Sequence, residues 1–200
     1  MSSALRRRLQ KRCRRQGTRY ARSMTRRQRA LHEAGHAVAF ILEHRRFVKV
    51  WLTEFGGGVE YRLLPANTRR WCLLRDIRIG LAGFLSTSLH GRDWSLGDRI
   101  CSVAEMSISA DSRASGDYRS CLALARRALG IRLQPGKSPG ELGADAVDRC
   151  LEEQKLAALR LLRDHCGIVK TVAARLEEKG ELSRAEVCSL VWTAGSGRGR

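Results

Sequence analysis

No C-x-x-C pair occurs anywhere in the 200 residues, and the seven cysteines (Cys13, Cys72, Cys101, Cys121, Cys150, Cys166 and Cys188) are scattered and odd in number. That excludes a zinc ribbon and a disulfide scaffold, and leaves reduced, mostly buried thiols of the kind kept in the cytosol. Long apolar runs are missing as well. The two best, around Ala34 to Leu42 and Ile77 to Leu89, are interrupted by polar residues well short of the ~20 that span a bilayer, so no transmembrane helix is expected. The basic start is never followed by an apolar stretch, which excludes a secretory signal, and the chain reads as cytoplasmic. Acidic residues are absent from the first thirty positions, which hold twelve of the 38 basic residues.

Residues 1–30 therefore carry most of the charge of +18, and the N-terminal arm proper, residues 1–24, is basic throughout. An arginine-rich arm can hold nucleic acid or an anionic membrane surface through phosphate contacts, or stay a solvated leader. It also has the composition of an organellar transit peptide, although Arg26, Arg27 and Arg29 run straight into the next helix. The remaining length and a hydrophobic content of 43% suit one domain with a sizeable core, residues 25–192, followed by a flexible tail, 193–200.

Within that domain His32-Glu33-Ala34-Gly35-His36 is the pattern that dictates a chemistry. Histidines at i and i+4 share one helix face and can reach one zinc, while the intervening glutamate can act as a base on water held at the metal. The helical setting is present: Thr25 to Glu43 contains no proline, Leu31, Ala34, Val38, Ile41 and Leu42 recur at helical spacing, and Thr25 suits an N-cap. Gly35 is costly inside a helix and implies the close approach of another backbone.

The chain beyond this helix reads as mainly α with one β-hairpin. Val48, Val50 and Leu52 alternate with Lys49, Trp51 and Thr53, Gly56-Gly57-Gly58 breaks the chain, and Val59 to Leu63 returns. A strand beside a metal can pair with substrate backbone, or the hairpin can simply cover the helices. Further helices are expected over Thr68 to Leu89, with Gly80 and Gly83 allowing close packing and His90-Gly91 ending it. Others follow over Ser115 to Leu129, Ala144 to about His165 and Ile168 to Lys179 with Gly180 as cap. A last one starts from the Ser183 to Glu186 capping box and ends near Trp192. Residues 92–114 read mostly as loop. Gly136-Lys137-Ser138 lacks the glycine spacing of a phosphate loop, so no nucleotide site is expected.

A catalytic zinc needs a third protein ligand. His44 is too far along the helix, and Ala39 and Leu42 stand where a metzincin requires glycine and histidine. Glu54, Glu60, Asp93, Asp98 and Asp111 all remain open by spacing, while His90 and His165 read as a helix end and a surface residue.

Thr25 to Phe40, TRRQRALHEAGHAVAF, closely resembles the entry to the peptidase domain of the FtsH-type ATP-dependent zinc proteases. V-K-V-W-L resembles the strand that follows in that family, IGLAGFLSTSLHG its glycine-containing helix, and SGDYRSCLALARR its S-N-D-L-x-x-A-T-x-x-A-R segment. Gly116 stands where the family usually has asparagine, and Phe84 to Ser88 replaces a charged stretch. The resemblance implies a zincin-like HExxH metallopeptidase of the FtsH peptidase type, standing alone without its ATPase module. His32, His36 and Asp117 would be the ligands of one Zn2+ and Glu33 the catalytic base. Polypeptide would be the substrate, with a separate unfolding ATPase as a partner. The alternatives are a catalytically silent zinc-stabilised module and an adaptor working through the basic arm.

Overall fold

The computed structural model describes residues 24–62, 65, 68–88, 115–131 and 143–196. The expectations for residues 1–23, for His90, Asp93, Asp98 and Asp111, and for the glycine-rich stretch around Lys137 lie outside them. Among the described residues there are six helices and a three-stranded antiparallel sheet.

The first helix, α1 (Arg26–Leu42), starts where the sequence places it. Thr25 Oγ1 accepts from Gln28 N and the Gln28 side chain accepts from Thr25 N, a complete capping box. Such a cap contributes on the order of 1 kcal/mol, against roughly 1.5–3 kcal/mol for each buried aliphatic side chain, so packing places the helix. Nearly every side chain from Ala30 to Ile41 is buried, and α1 is the central element of the core. It packs on α2 (Arg70–Ser88) and on α5 (Cys166–Lys179), with α4 (Ala144–Asp164) and α6 (Arg184–Ser196) completing the shell. Leu73, Ile77, Leu81 and Leu85, each one turn apart, give α2 a fully buried stripe. The last helix to name, α3 (Ser115–Ala128), covers the other side of α2.

Charged groups tie the end of α1 to its neighbours. The carboxylate of Glu43 accepts from Arg78 Nε and Nη2, while Arg78 Nη1 donates to Gln154 Oε1 of α4 at 2.6 Å. Arg45, just past the left-handed His44, pairs with Asp76 at 2.8 Å. A buried carboxylate is tolerated there because two guanidiniums, Arg75 and Arg78, meet it.

The expected hairpin is present as β1 (Phe47–Leu52) and β2 (Gly57–Tyr61), but it is two thirds of a larger sheet. A third strand, β3 (Glu181–Ser183), pairs with the other edge of β1, giving the order β2-β1-β3. The alternation also differs from expectation. A register shift between Phe47 and Lys49 turns Val48 to solvent and brings Phe47 into the core beside Val50 and Leu52. Gly180 caps α5 at φ 78°, as expected, and Ser183 and Glu186 form the capping box that opens α6. That helix continues to Ser196, beyond the end read from the sequence.

Candidate metal centre

The i, i+4 spacing on α1 and the first turn of α3 bring His32, His36 and Asp117 together. One donor atom from each lies within 4.8 Å of the others. His32 Nε2 is 3.1 Å from His36 Nε2 and 3.2 Å from Asp117 Oδ2, and His36 Nε2 is 3.4 Å from the same oxygen. Among the described residues this is the one such gathering of three or more histidine, cysteine or carboxylate side chains.

A backbone carbonyl of α2 sets the tautomer of His36. Its Nδ1 donates to the Ile79 carbonyl of α2 at 2.7 Å, so the neutral ring turns an unprotonated Nε2 toward His32 and Asp117. Two imidazole nitrogens and a carboxylate oxygen thus crowd their lone pairs into one space, a donor set with room for a cation between them. The three residues fit a metal ion.

Without a metal, protons and charges take its place. Burial works against a charged His36, but the charge and hydrogen bond of Asp117, with Glu33 and the Ile79 carbonyl, outweigh it and raise the imidazole to about 9. Burial pushes the Asp117 carboxyl up, yet His36 and His32 overcome that and hold it well below the usual carboxylate range. Asp117 keeps 40% of its side chain exposed, so solvent screens part of this pairing. Glu33 is buried beside the histidines. Burial raises its carboxyl, the charges of His32 and His36 pull it back, and Asp117 pushes it up again, with a net upward shift.

Three glycines shape the site. Gly35 lets α2 approach, since a Cβ there would stand 2.7 Å from the Ala82 carbonyl and 2.1 Å from Ser86 Oγ; this is the close backbone contact that the mid-helix glycine implied. Gly83 faces the ring of His36, and Gly57 of β2 faces Glu33. None of Ile79, Gly57 and Gly83 was identifiable as a site residue from the sequence. The signal for Gly83 was a glycine inside an apolar helical pattern, while a backbone carbonyl such as that of Ile79 leaves no trace in residue type.

The other ligand candidates among the described residues stand apart. Glu60 is cross-strand from Lys49, and Glu54 reaches α1 only through its backbone oxygen, which accepts from Arg29. His165 closes α4 by donating from Nδ1 to the Leu161 carbonyl. Cys121, one turn after Asp117, donates to the Ile77 carbonyl, and burial raises its thiol far above the ordinary range. Cys72, Cys121, Cys150, Cys166 and Cys188 are all free thiols, as read from the sequence. No described helix is long and apolar enough to cross a membrane.

Compared with models of known protein families and with curated proteins, the chain matches none.

Proposed function

We propose that this chain is a zinc-dependent metalloendopeptidase of the FtsH peptidase type, acting on unfolded or flexible polypeptides. The observation that carries it is the convergence of His32, His36 and Asp117 with Glu33 buried alongside. His32, His36 and Asp117 would hold zinc, which when bound supplies Lewis acidity to a scissile carbonyl and to an attacking water. Glu33 takes the proton of the attacking water on its carboxylate and returns it to the leaving amine. Burial, which raises its carboxyl, makes the ionised Glu33 a stronger proton acceptor than an exposed glutamate.

The open edge of the sheet supports the substrate class. Leu52 N donates toward β3, to the Gly180 carbonyl, so by alternation Trp51 and Lys49 turn their backbone groups toward Gly58 and Glu60 of β2. The backbone amides and carbonyls of Gly57 and Val59 then face the outer edge of β2, which no described strand covers. Gly57 lies against Glu33, so an extended peptide pairing with this edge would pass the base. Only an unfolded or flexible segment can present a free backbone to such an edge, which makes a separate unfolding ATPase a fitting partner.

The test is zinc content together with cleavage of an unfolded casein-type reporter, wild type against Glu33→Gln. Zinc in both proteins and cleavage by the wild type alone is the expected result. Zinc in both without cleavage by either would leave a catalytically silent zinc-stabilised module, and equal cleavage by both would remove Glu33 as the base.

A further inference from the structure

The imidazole of His36 lies in a slot cut into α2. Its Nδ1 is held by the Ile79 carbonyl at 2.7 Å, and one turn further along the same helix face stands Gly83. A Cβ on Gly83 would be 2.2 Å from His36 Nε2 and 2.6 Å from Cδ2 and Cε1. We propose that Gly83 is a positioning residue of the metal centre: its missing side chain lets His36 present Nε2 to His32 and Asp117, so α2 decides whether the site loads. This rests on the metal reading above and deepens it.

The clash cannot be relieved cheaply. Cβ atoms essentially never come within 3.0 Å of a heavy atom elsewhere in the fold, and here three ring atoms are closer than that. The ring cannot swing aside without releasing Ile79, because Nδ1 and Nε2 are fixed relative to each other. Nor can α1 back away cheaply as a unit, since the interface is buried on both sides and separation would open a void along it, starting at the close contact of Gly35 with Ala82 and Ser86. An alanine at 83 must therefore displace the ligand nitrogen. Helix propensity argues the other way, because alanine inside a helix is preferred over glycine. The glycine is thus kept against the local preference of α2, and the ring of His36 is the group that needs it.

The effects separate in two measurements on the full chain. In competition with a chromogenic chelator, Gly83→Ala should weaken zinc binding at least tenfold, the loss typical when a group that orients a ligand is disturbed. Gly167→Ala, on α5 with nothing within 4 Å of its added Cβ, should not. On metal-free protein, Gly83→Ala should lower the melting temperature in the wild-type background but not in His36→Ala, where the truncated ring leaves room. Equal zinc affinity in wild type and Gly83→Ala overturns the proposal, as does the same melting shift in both backgrounds. Should the wild type bind no zinc, the metal reading fails and the metal-free cycle alone decides the slot. If Gly83→Ala does not fold, a folded Gly83→Ala/His36→Ala protein supports the proposal and an unfolded one overturns it.

Discussion

Gly57 and Glu33 are packed so closely that no side chain fits between them: a Cβ on the glycine would lie 2.7 Å from Glu33 Cγ and 3.0 Å from Oε1. The hairpin therefore presses on the proposed base rather than on the metal ligands. Gly57→Ala should push the Glu33 carboxylate out of place while His32, His36 and Asp117 keep their geometry. The expected result is at least a tenfold loss of peptidase activity with full zinc content, read by metal analysis beside a casein-type assay. Loss of zinc in this variant would show that the hairpin supports the ligands instead.

Asp117→Asn should weaken zinc by at least an order of magnitude, because an amide oxygen is a far poorer partner for a dication than the carboxylate it replaces. Were Asp117 only a favourable charge at the start of α3, it would contribute ~0.3–1 kcal/mol to stability and nothing to the metal. Glu60→Gln and Glu54→Gln should leave zinc bound, since neither carboxylate joins the cluster. Chelator competition on the three variants separates these outcomes, and retained affinity in Asp117→Asn would remove it from the ligand set.

Truncating either imidazole should be more severe. His32→Ala or His36→Ala leaves two donors, too few for tight binding, so both variants should elute metal-free. Full occupancy in the double variant would sink the assignment of the site to this helix.

What the sequence made legible was whatever local pattern controls. The Thr25 cap, the buried length of α1 and the Gly180 cap could be read because each depends on residues close in sequence. The placement of Asp117 could not: it lies 85 residues from His32, and spacing left several carboxylates equal until a family resemblance favoured one. The strand β3 escaped because three residues, Glu181 to Ser183, are too short to show alternation and sit between a helix cap and a capping box. Val48 was assigned to the wrong face because a bulge reverses the period-two pattern at one step. The grip on His36 comes from a carbonyl and a bare Cα, which have no side chain to read.

The metal-free protein should carry a pH dependence set by the same contacts. His36 is raised from 6.5 to about 9 in the folded state, so its pairing stabilises the fold fully below pH 6.5 and is lost as pH rises through 9. Asp117 is shifted the other way from 3.8, so its contribution is present above that value and disappears in acid as the carboxyl finally takes its proton. Glu33, raised by burial, adds a decline that begins above its ordinary 4.5, so chelator-treated protein should lose melting temperature as pH rises, with the His36 step between 6.5 and about 9, and His36→Ala should lack that step. Zinc should abolish that step in the wild type, because an Nε2 bound to metal has no proton to lose. The same proton must leave when zinc binds, so zinc affinity should keep rising with pH up to about 9 instead of levelling off near 6.5. A plateau at the ordinary imidazole value would mean that His36 is not held by Asp117 in solution.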